Sequence, residues 1–564
     1  MHAPSDRVIE AAAPPREASG AASAGSHRAP GGPTALRVLC HLVVELPVAL
    51  FGVVELAHGW RPLSDNAALS LRSWQVLTAQ SPLVGHQMAV SVGSRAVFGP
   101  GPLQSWILAV PVHLDPTRGA LWGGVLAVLV AMALAVEAAW RTDGWRAAVV
   151  TSGALLVLGI VRSEVVLDVV WNVWFAVLFL ITAFAAARAT AAGRLRWWPV
   201  TVVASSVVVQ CQAAFAPPAV ALCVMAPVLG LLVRRRRQER PGWPWLAGGL
   251  GIGVVVWSAP LVEQARDHPG NLTLLARASD AGPVVGVAAG LRALGAATRP
   301  DPTWIHRLPT GSAATRFFGI AGLVDGAEWW GVTVLGLLLV TGVVAWRSGR
   351  VSLSGMAWLT LALAGGTVVT IASVPTSQFV VVGYLGVLLA PTGMAVAVTL
   401  AWAVGDGLLS VVRRVARTGP SGERSRWTHG TGWPTWIAAG TLVGLSGWLV
   451  IVGMGQVGGV EPTLVGWSAA RVTDAATTAA ARVAPQGPFR LEVRGGTDVD
   501  VFAVEGGVAD LLVAKGFDAR PDDPVAYPTF GRPPPEGPTV VVTLSAAGHG
   551  VEARLVPASG GSGG

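Results

Sequence analysis

Residues 37–77 read RVLCHLVVELPVALFGVVELAHGWRPLSDNAALSLRSWQVL, an apolar run followed by a short link and a more polar segment. The apolar run, over about 37–58, has the roughly 20 residues that a helix needs to cross the hydrocarbon core of a membrane. The second segment places apolar residues at 68, 69, 71, 74, 76 and 77. That spacing is typical of an amphipathic helix lying in the membrane interface. We therefore expect a membrane span that leads directly into an interfacial helix.

The composition of the whole chain agrees with a membrane protein. Of its 564 residues, 52% are hydrophobic and only 13% are charged, and the mean hydropathy is +0.56. The charged fraction is about half that of an ordinary soluble domain, and one water-soluble core could not bury so much apolar sequence. The three Cys all lie in apolar runs, which excludes a secreted disulfide scaffold.

Apolar runs of similar length recur along the chain. Eleven transmembrane helices are predicted, near 37–58, 119–140, 147–161, 165–187, 198–216, 219–233, 243–260, 331–347, 352–372, 377–403 and 434–455. Arginine-rich segments fall between alternate spans, at 141–146, 188–196, 234–240, 347–350 and 413–426. Because cytoplasmic loops are enriched in Lys and Arg, we predict a multi-pass protein of the plasma (inner) membrane with a cytoplasmic N-terminus.

Three regions follow from this topology. Residues 1–36, rich in Ala, Pro, Gly and Ser, are predicted to be a disordered cytoplasmic tail. Residues 37–455 form the transmembrane domain, with a first external loop at 59–118 and a large external loop at 261–330. Residues 456–564 carry 12 acids against 8 bases and contain short strand-like runs. This last region is predicted to be a small extracytoplasmic α/β or β-rich domain.

The first external loop carries the strongest candidate for chemistry. Its second apolar stretch, GPLQSWILAVPVHL (101–114), is too short to span and is predicted to be a second interfacial helix. Asp65 stands at the head of the first interfacial helix. Ser64 or Asp65 could simply cap that helix. Alternatively, the Asp65 carboxylate could lie at the outer interface of the bilayer and remove a proton from an acceptor hydroxyl.

Several motifs resemble one family of membrane enzymes. The early external Asp65, the motif GPGPLQSWILA (99–109), and the segments SPLVG (81–85), WNVWFAVLFL (171–180), QCQAAFAPPAV (210–220) and WSAPLVEQARDHPGNL (257–272) carry the resemblance. Together they are similar to the GT-C superfamily of integral-membrane glycosyltransferases, of the protein O-mannosyltransferase and aminoarabinose-transferase type, especially its actinobacterial members. The resemblance implies a GT-C fold and a polyprenyl-phosphate sugar donor. It also implies an extracytoplasmic cell-envelope glycan or protein as acceptor, with Asp65 as the catalytic base. A second acid beside the first, common in several GT-C families, is absent, because Asn66 follows Asp65.

Other external polar residues are candidates for substrate binding. A lipid phosphate that leaves with negative charge needs cationic donors at headgroup depth. Arg72, Arg162 and Arg266 are predicted to bind the donor phosphate, Arg72 because it lies two helical turns after Asp65. Contact with lipid headgroups is the alternative for Arg72, and a local pair with Glu164 is the alternative for Arg162. The predicted acceptor or sugar ligands are His86, Glu164, Asn172, Glu263, Gln264, His268 and Asn271.

The sequence favours no cofactor and no nucleic-acid partner. The external histidines have neither a His partner at i+4 nor a Cys partner, so no metal site is predicted, although a divalent metal requirement stays open. The run RRRRQER (234–240) lies directly below a span, where orientation and contact with anionic membrane lipids account for it. A non-catalytic scaffold or a lipid-linked-sugar translocator of the same architecture is the alternative function.

Overall fold

The computed structural model describes residues 34–93, 95–162, 164–279, 282–302, 304, 327–376, 383–418, 432–454, 463–464, 467–495, 498–521, 537–544 and 551–557. Nearly all of the predicted tail at 1–36 lies outside these residues. So does much of the large loop at 261–330, from 305 to 326.

The membrane domain is a bundle of helices. Its helices are α1 (Thr34–Ala57), α2 (Ser64–Gln75), α3 (Leu103–Leu114), α4 (Gly119–Asp143), α5 (Trp145–Val161), α6 (Glu164–Leu167), α7 (Asn172–Ala191), α8 (Trp198–Cys211), α9 (Ala216–Arg236), α10 (Trp243–Val256), α11 (Ser258–Arg266), α12 (Asn271–Ser279), α13 (Gly286–Thr298), α14 (Ala327–Arg347), α15 (Val351–Ala372), α16 (Leu389–Thr418) and α17 (Gly432–Met454). Many of the long helices expose apolar side chains such as Leu46, Val130 and Val340 to their surroundings. Exposed side chains of this kind suit helices that face lipid.

A helix covers most of each of the eleven predicted spans, but the count of eleven spans is not confirmed. Within the described residues, eight helices are long and apolar enough to cross a membrane, and the pair α10 and α11, bent by 49°, would make a ninth. The helices α5 and α8 have 17 and 14 residues. At 1.5 Å per residue, they are about 26 and 21 Å long, short of the roughly 30 Å hydrocarbon core.

The predicted span at 165–187 begins later than expected. Its helix, α7, starts at Asn172, and Asp168 lies in the loop before it. Asp168 and Asn172 therefore do not lie on one face of a common helix. The loop instead turns Asp168 back toward α2, where its carboxylate accepts a hydrogen bond from Asn66.

Both helices predicted within 59–118 are present, as α2 and α3. Between them lies an antiparallel hairpin of β1 (Gln87–Val92) and β2 (Arg95–Phe98), which the sequence did not predict. Two further short strands, β3 (Thr463–Leu464) and β4 (Trp467–Ser468), pair antiparallel after the last span.

The C-terminal region forms a small α/β domain. Its helices are α18 (Ala469–Val483) and α19 (Asp498–Ala514), and its strands are β5 (Phe489–Arg494), β6 (Ala519–Pro521), β7 (Thr539–Leu544) and β8 (Val551–Val556). The sheet order is β6-β5-β7-β8, with β5 parallel to β6 and β7, and β8 antiparallel to β7. Helix α19 crosses from β5 to its parallel neighbour β6, and helices of this kind cover the faces of parallel strands. Phe489, Leu491, Val540 and Val542 are fully buried in the resulting core.

Candidate functional site

Asp65 does not serve as a cap for its helix. The residue before α2 is Leu63, and no side chain makes a capping hydrogen bond there. The Oδ2 atom of Asp65 instead accepts a hydrogen bond from Nε1 of Trp171, at 2.9 Å, and the side chain is exposed.

The backbone turns sharply at Ser64, directly before Asp65. Ser64 has φ 49°, a left-handed conformation that is unfavourable for a non-glycine residue. This turn sets the direction in which α2 leaves the first span.

A polar cavity of about 120 Å³ lies beside Asp65. Its lining includes Asp65, His86, Gln87, Met88, Gly99, Trp171, Asn172, Val173, Cys211, Gln212 and Ala213. This volume is several times what one buried water molecule needs. The cavity can therefore receive a polar group of a substrate beside the exposed carboxylate of Asp65.

His86 is held in one orientation by Asn172. The Asn172 Nδ2 atom lies 3.0 Å from the carbonyl oxygen of Cys211 and 3.1 Å from Nε2 of His86. A carbonyl can only accept, which identifies this Asn172 atom as the amide nitrogen, and its second hydrogen points to His86 Nε2. Nε2 is then an acceptor, and a neutral His86 carries its proton on Nδ1. Burial lowers the pKa of His86, opposed by the negative charge of Asp65 and assisted by the positive charge of Arg72.

Asp168 brings a second acid to the site. Its Oδ1 accepts a hydrogen bond from Nδ2 of Asn66 at 3.1 Å, so the residue after Asp65 ties α2 to the loop before α7. Burial raises the pKa of Asp168 to about 6, with the hydrogen bond from Asn66 opposing the rise and the charge of Asp65 adding to it. A second carboxyl group therefore lies near Asp65, and it comes from a loop distant in the sequence.

This pKa predicts a pH dependence of stability. The pKa of Asp168 is about 6 in the folded protein, against an ordinary value of 3.8. At pH values between these two, Asp168 is more protonated in the folded protein than in the unfolded chain. The free energy of unfolding therefore falls as pH rises through this interval, by roughly 2 kcal/mol. We expect thermal unfolding in detergent, measured from pH 4 to 7, to show a smaller decline for Asp168→Asn than for the wild type. Identical pH profiles would contradict the assignment, and Asp267→Asn, which removes an exposed carboxylate, is the control.

Arg72 lies in the last turn of α2 and is 95% buried, with a relative exposure of 5%. Its Nη1 atom donates to the carbonyl of Val84 at 3.0 Å, and the guanidinium lies 5.3 Å from the centroid of the Phe98 ring. Its Nε atom has no hydrogen-bond partner among the described residues. Burial lowers the pKa of Arg72 to about 10, so it stays charged at neutral pH. The site thus contains a fixed positive charge without a paired carboxylate in the described part of the chain.

The other two predicted phosphate ligands, like Arg72, are not part of the cavity lining. Arg162 follows the last residue of α5, and Arg266 is exposed in the last turn of α11. Neither residue lines the cavity beside Asp65. Of the predicted acceptor ligands, His268 is exposed and also outside the cavity, and the side chain of Glu164 lies outside the described part of the structure.

Glu263 and Asn271 support the site indirectly. The Glu263 carboxylate accepts from the backbone N–H of Asn271, at 2.9 and 3.0 Å. The Asn271 side chain in turn accepts from the backbone N–H of Phe98 and donates to its carbonyl, both at 2.9 Å. These bonds fix β2 directly before Gly99, which lines the cavity. Gln264 makes a separate link, donating from Nε2 to Oγ1 of Thr273 at 2.8 Å.

Gln210 is a supporting residue that the candidate ligands did not include. Its Oε1 accepts from the backbone N–H of Leu103 at 3.1 Å, satisfying a free amide at the start of α3, and its Nε2 donates to the carbonyl of Val256 at 2.8 Å. A Cβ atom at Gly101 would overlap the Gln210 side chain, which accounts for a glycine before α3. The sequence signal was a pair of glutamines, Gln210 and Gln212, inside an apolar run.

Across the residues that the structure describes, no three His, Cys, Asp or Glu side chains converge in a way that could hold a metal ion.

No family model matches the chain, and no curated protein matches it. Among solved structures, the chain is similar to the crystal structure of ArnT from Cupriavidus metallidurans bound to undecaprenyl phosphate. The TM-score is 0.40 at 14% identity, over 90% of this chain and 92% of that chain. For the same protein in the apo state, the TM-score is 0.39 at 14% identity, over 88% of this chain and 92% of that chain. The function is therefore inferred from the site itself.

Proposed function

We propose that the chain is a membrane glycosyltransferase of the GT-C type. It transfers a sugar from a polyprenyl-phosphate donor to an extracytoplasmic hydroxyl of a cell-envelope glycan or protein. The observation that carries this proposal is the exposed carboxylate of Asp65 at a polar cavity, on an interfacial helix that directly follows a membrane span. This places a proton acceptor where a lipid-linked donor and a water-soluble acceptor can meet.

The reaction is a single displacement at the anomeric carbon of the donor sugar. Asp65 takes the proton of the acceptor hydroxyl as its oxygen forms the new bond to the anomeric carbon. The bond between that carbon and the phosphate oxygen breaks, and its electron pair leaves with the polyprenyl phosphate. Attack from the face opposite the leaving group inverts the anomeric configuration.

The buried charge of Arg72 supports the departure of the phosphate. Negative charge on the leaving group increases as its bond to the sugar breaks, and a fixed cation nearby stabilises that change without having to reorganise. Two unit charges about 8 Å apart interact by roughly 2 kcal/mol at an effective dielectric constant of 20. Arg72 therefore acts through its charge, although its buried side chain is not part of the cavity lining.

His86 and Asp168 set the geometry around the base. His86 is a neutral polar group on the cavity wall that can bond a sugar hydroxyl. Asp168 holds Asn66 and, through it, the first turn of α2. The arginine-rich loops predict that this side of the bundle faces away from the cytoplasm, which makes the acceptor extracytoplasmic.

The experiment is a transfer assay in membrane vesicles with a panel of radiolabelled polyprenyl-phosphate sugars. We expect one donor to label an acceptor in a protein-dependent way, and the glycosidic bond formed to have the anomeric configuration opposite to that of the donor. A product with retained configuration would contradict the single displacement. No transfer from any polyprenyl-phosphate sugar would contradict the enzyme assignment.

A further inference from the structure

Helix α2 belongs to two hydrophobic cores at once. Leu69, 5% exposed, packs in the core of the membrane domain. Leu71, two residues later and 1% exposed, packs in the core of the C-terminal domain. The helix that carries Asp65 is therefore enclosed between the bundle and the C-terminal domain.

The C-terminal domain packs closely against this region at Gly507 in α19. A Cβ atom at this position would lie 2.9 Å from the carbonyl oxygen of Pro62, 2.9 Å from a terminal carbon of Leu63 and 2.9 Å from a methyl carbon of Thr473. Contacts under 3.0 Å at a Cβ are essentially never observed. Only glycine allows α19 to lie this close to the link between α1 and α2.

Polar contacts reinforce the same interface. Arg61 forms a two-pronged ion pair with Asp474 of α18, with its Nε 2.9 Å from Oδ1 and its Nη2 3.3 Å from Oδ2. Ser70 of α2 and Asp510 of α19 are both buried, with exposures of 1% and 4%. Burial raises the pKa of Asp510 well above its ordinary value, and the nearby Ser70 hydroxyl opposes part of that rise.

A helix of this size needs such support. Helix α2 has 12 residues, a length at which an isolated helix is marginal in water, so its order comes from packing. Removing the C-terminal domain from one side would expose Leu71 and leave α2 held on a single face.

We propose that the C-terminal domain is a positioning element for the transfer reaction: by clamping α2 against the bundle through Gly507, Leu71 and the Arg61–Asp474 pair, it fixes the position of Asp65 at the cavity. This proposal rests on the proposed function for the role of Asp65. The clamp itself is defined by contacts that can be measured without an activity assay.

The test is Gly507→Ala in the full-length protein. The added methyl forces α19 away from the Pro62 carbonyl, while alanine is itself favourable inside a helix by about 1 kcal/mol relative to glycine. We expect hydrogen exchange of the α2 amides to rise at least 10-fold with exchange in the spans unchanged. We also expect kcat of transfer to fall at least 10-fold, with the KM for the donor changing less than 3-fold. Gly487→Ala, where nothing lies within 4 Å of the added carbon, is the matched control.

A second variant separates the interface from the interior of the domain. Gly507→Ala combined with Thr473→Ala removes the contact inside the domain but keeps the one with Pro62. We expect the double variant to retain the faster exchange in α2 and the lower kcat. Unchanged exchange in α2 for both variants would overturn the clamp, and faster exchange with unchanged kcat would overturn its positioning role. Failure of the proposed function is seen separately, as no transfer by the wild type from any polyprenyl-phosphate sugar, and the exchange measurement still tests the clamp in that case.

Discussion

Asp65→Asn is expected to lower kcat of sugar transfer by about 10²- to 10⁴-fold, the range for removing a general base. The amide keeps the size of the carboxylate, and its oxygen can still accept the hydrogen bond from Trp171. It cannot take up the acceptor proton. Because the donor phosphate is held by other groups, we expect donor binding to change less than 3-fold. Measurement of kcat and donor affinity with the same purified protein separates the two effects.

The control for this variant is Asp267→Asn, which removes another exposed carboxylate that does not line the cavity. It should transfer sugar like the wild type. An Asp65→Asn protein with wild-type kcat would refute Asp65 as the base. Equal losses in both variants would indicate a general effect of charge rather than a specific role for position 65.

Arg72→Met is expected to weaken donor binding about 10- to 100-fold without destabilising the unliganded protein. A buried cation without a carboxylate partner carries a desolvation penalty of several kcal/mol. Replacement by Met removes that penalty but also removes the hydrogen bond to Val84 and the contact with the Phe98 ring. The stability gained by removing the desolvation penalty at least matches the stability lost with these two contacts. We therefore expect the melting temperature to stay the same or rise. Weaker donor binding without a stability loss marks a group retained for function.

Exposed Arg95 in the same loop offers the matched control, as Arg95→Met. It should bind donor like the wild type, because Arg95 is exposed and does not line the cavity. A large drop in melting temperature for Arg72→Met with unchanged donor affinity would show that Arg72 is structural. Donor binding that weakens equally in both variants would assign the effect to the surface charge of the loop.

The parts of the fold that follow from local sequence were predicted well. The apolar runs and the spacing around Leu69 and Leu71 identified the first span and both interfacial helices, because burial against lipid and protein imposes those periods directly. Span length was less predictable. Apolar composition alone does not show that α7 starts only at Asn172, or that α5 and α8 stop short of a full crossing.

The site was predictable only in its local part. Asp65 could be singled out by its place after the first span, but the second acid could not. Asp168 reaches the site through a hydrogen bond between residues 102 positions apart in the chain, and no spacing rule connects such distant positions. In the same way, Glu263 and Asn271 are polar external residues by sequence. Only their mutual hydrogen bonds, and those to Phe98, show that they brace the cavity wall.

The most direct measurement is a density map of the full-length protein with a bound polyprenyl phosphate or a non-hydrolysable polyprenyl-phosphate sugar. The account predicts that the phosphate lies beside the cavity, within about 8 Å of the Arg72 guanidinium, where their attraction is still roughly 2 kcal/mol. The anomeric carbon should then face the carboxylate of Asp65 across the space left for an acceptor hydroxyl. A phosphate bound elsewhere on the bundle, with the Asp65 cavity unoccupied, would contradict it.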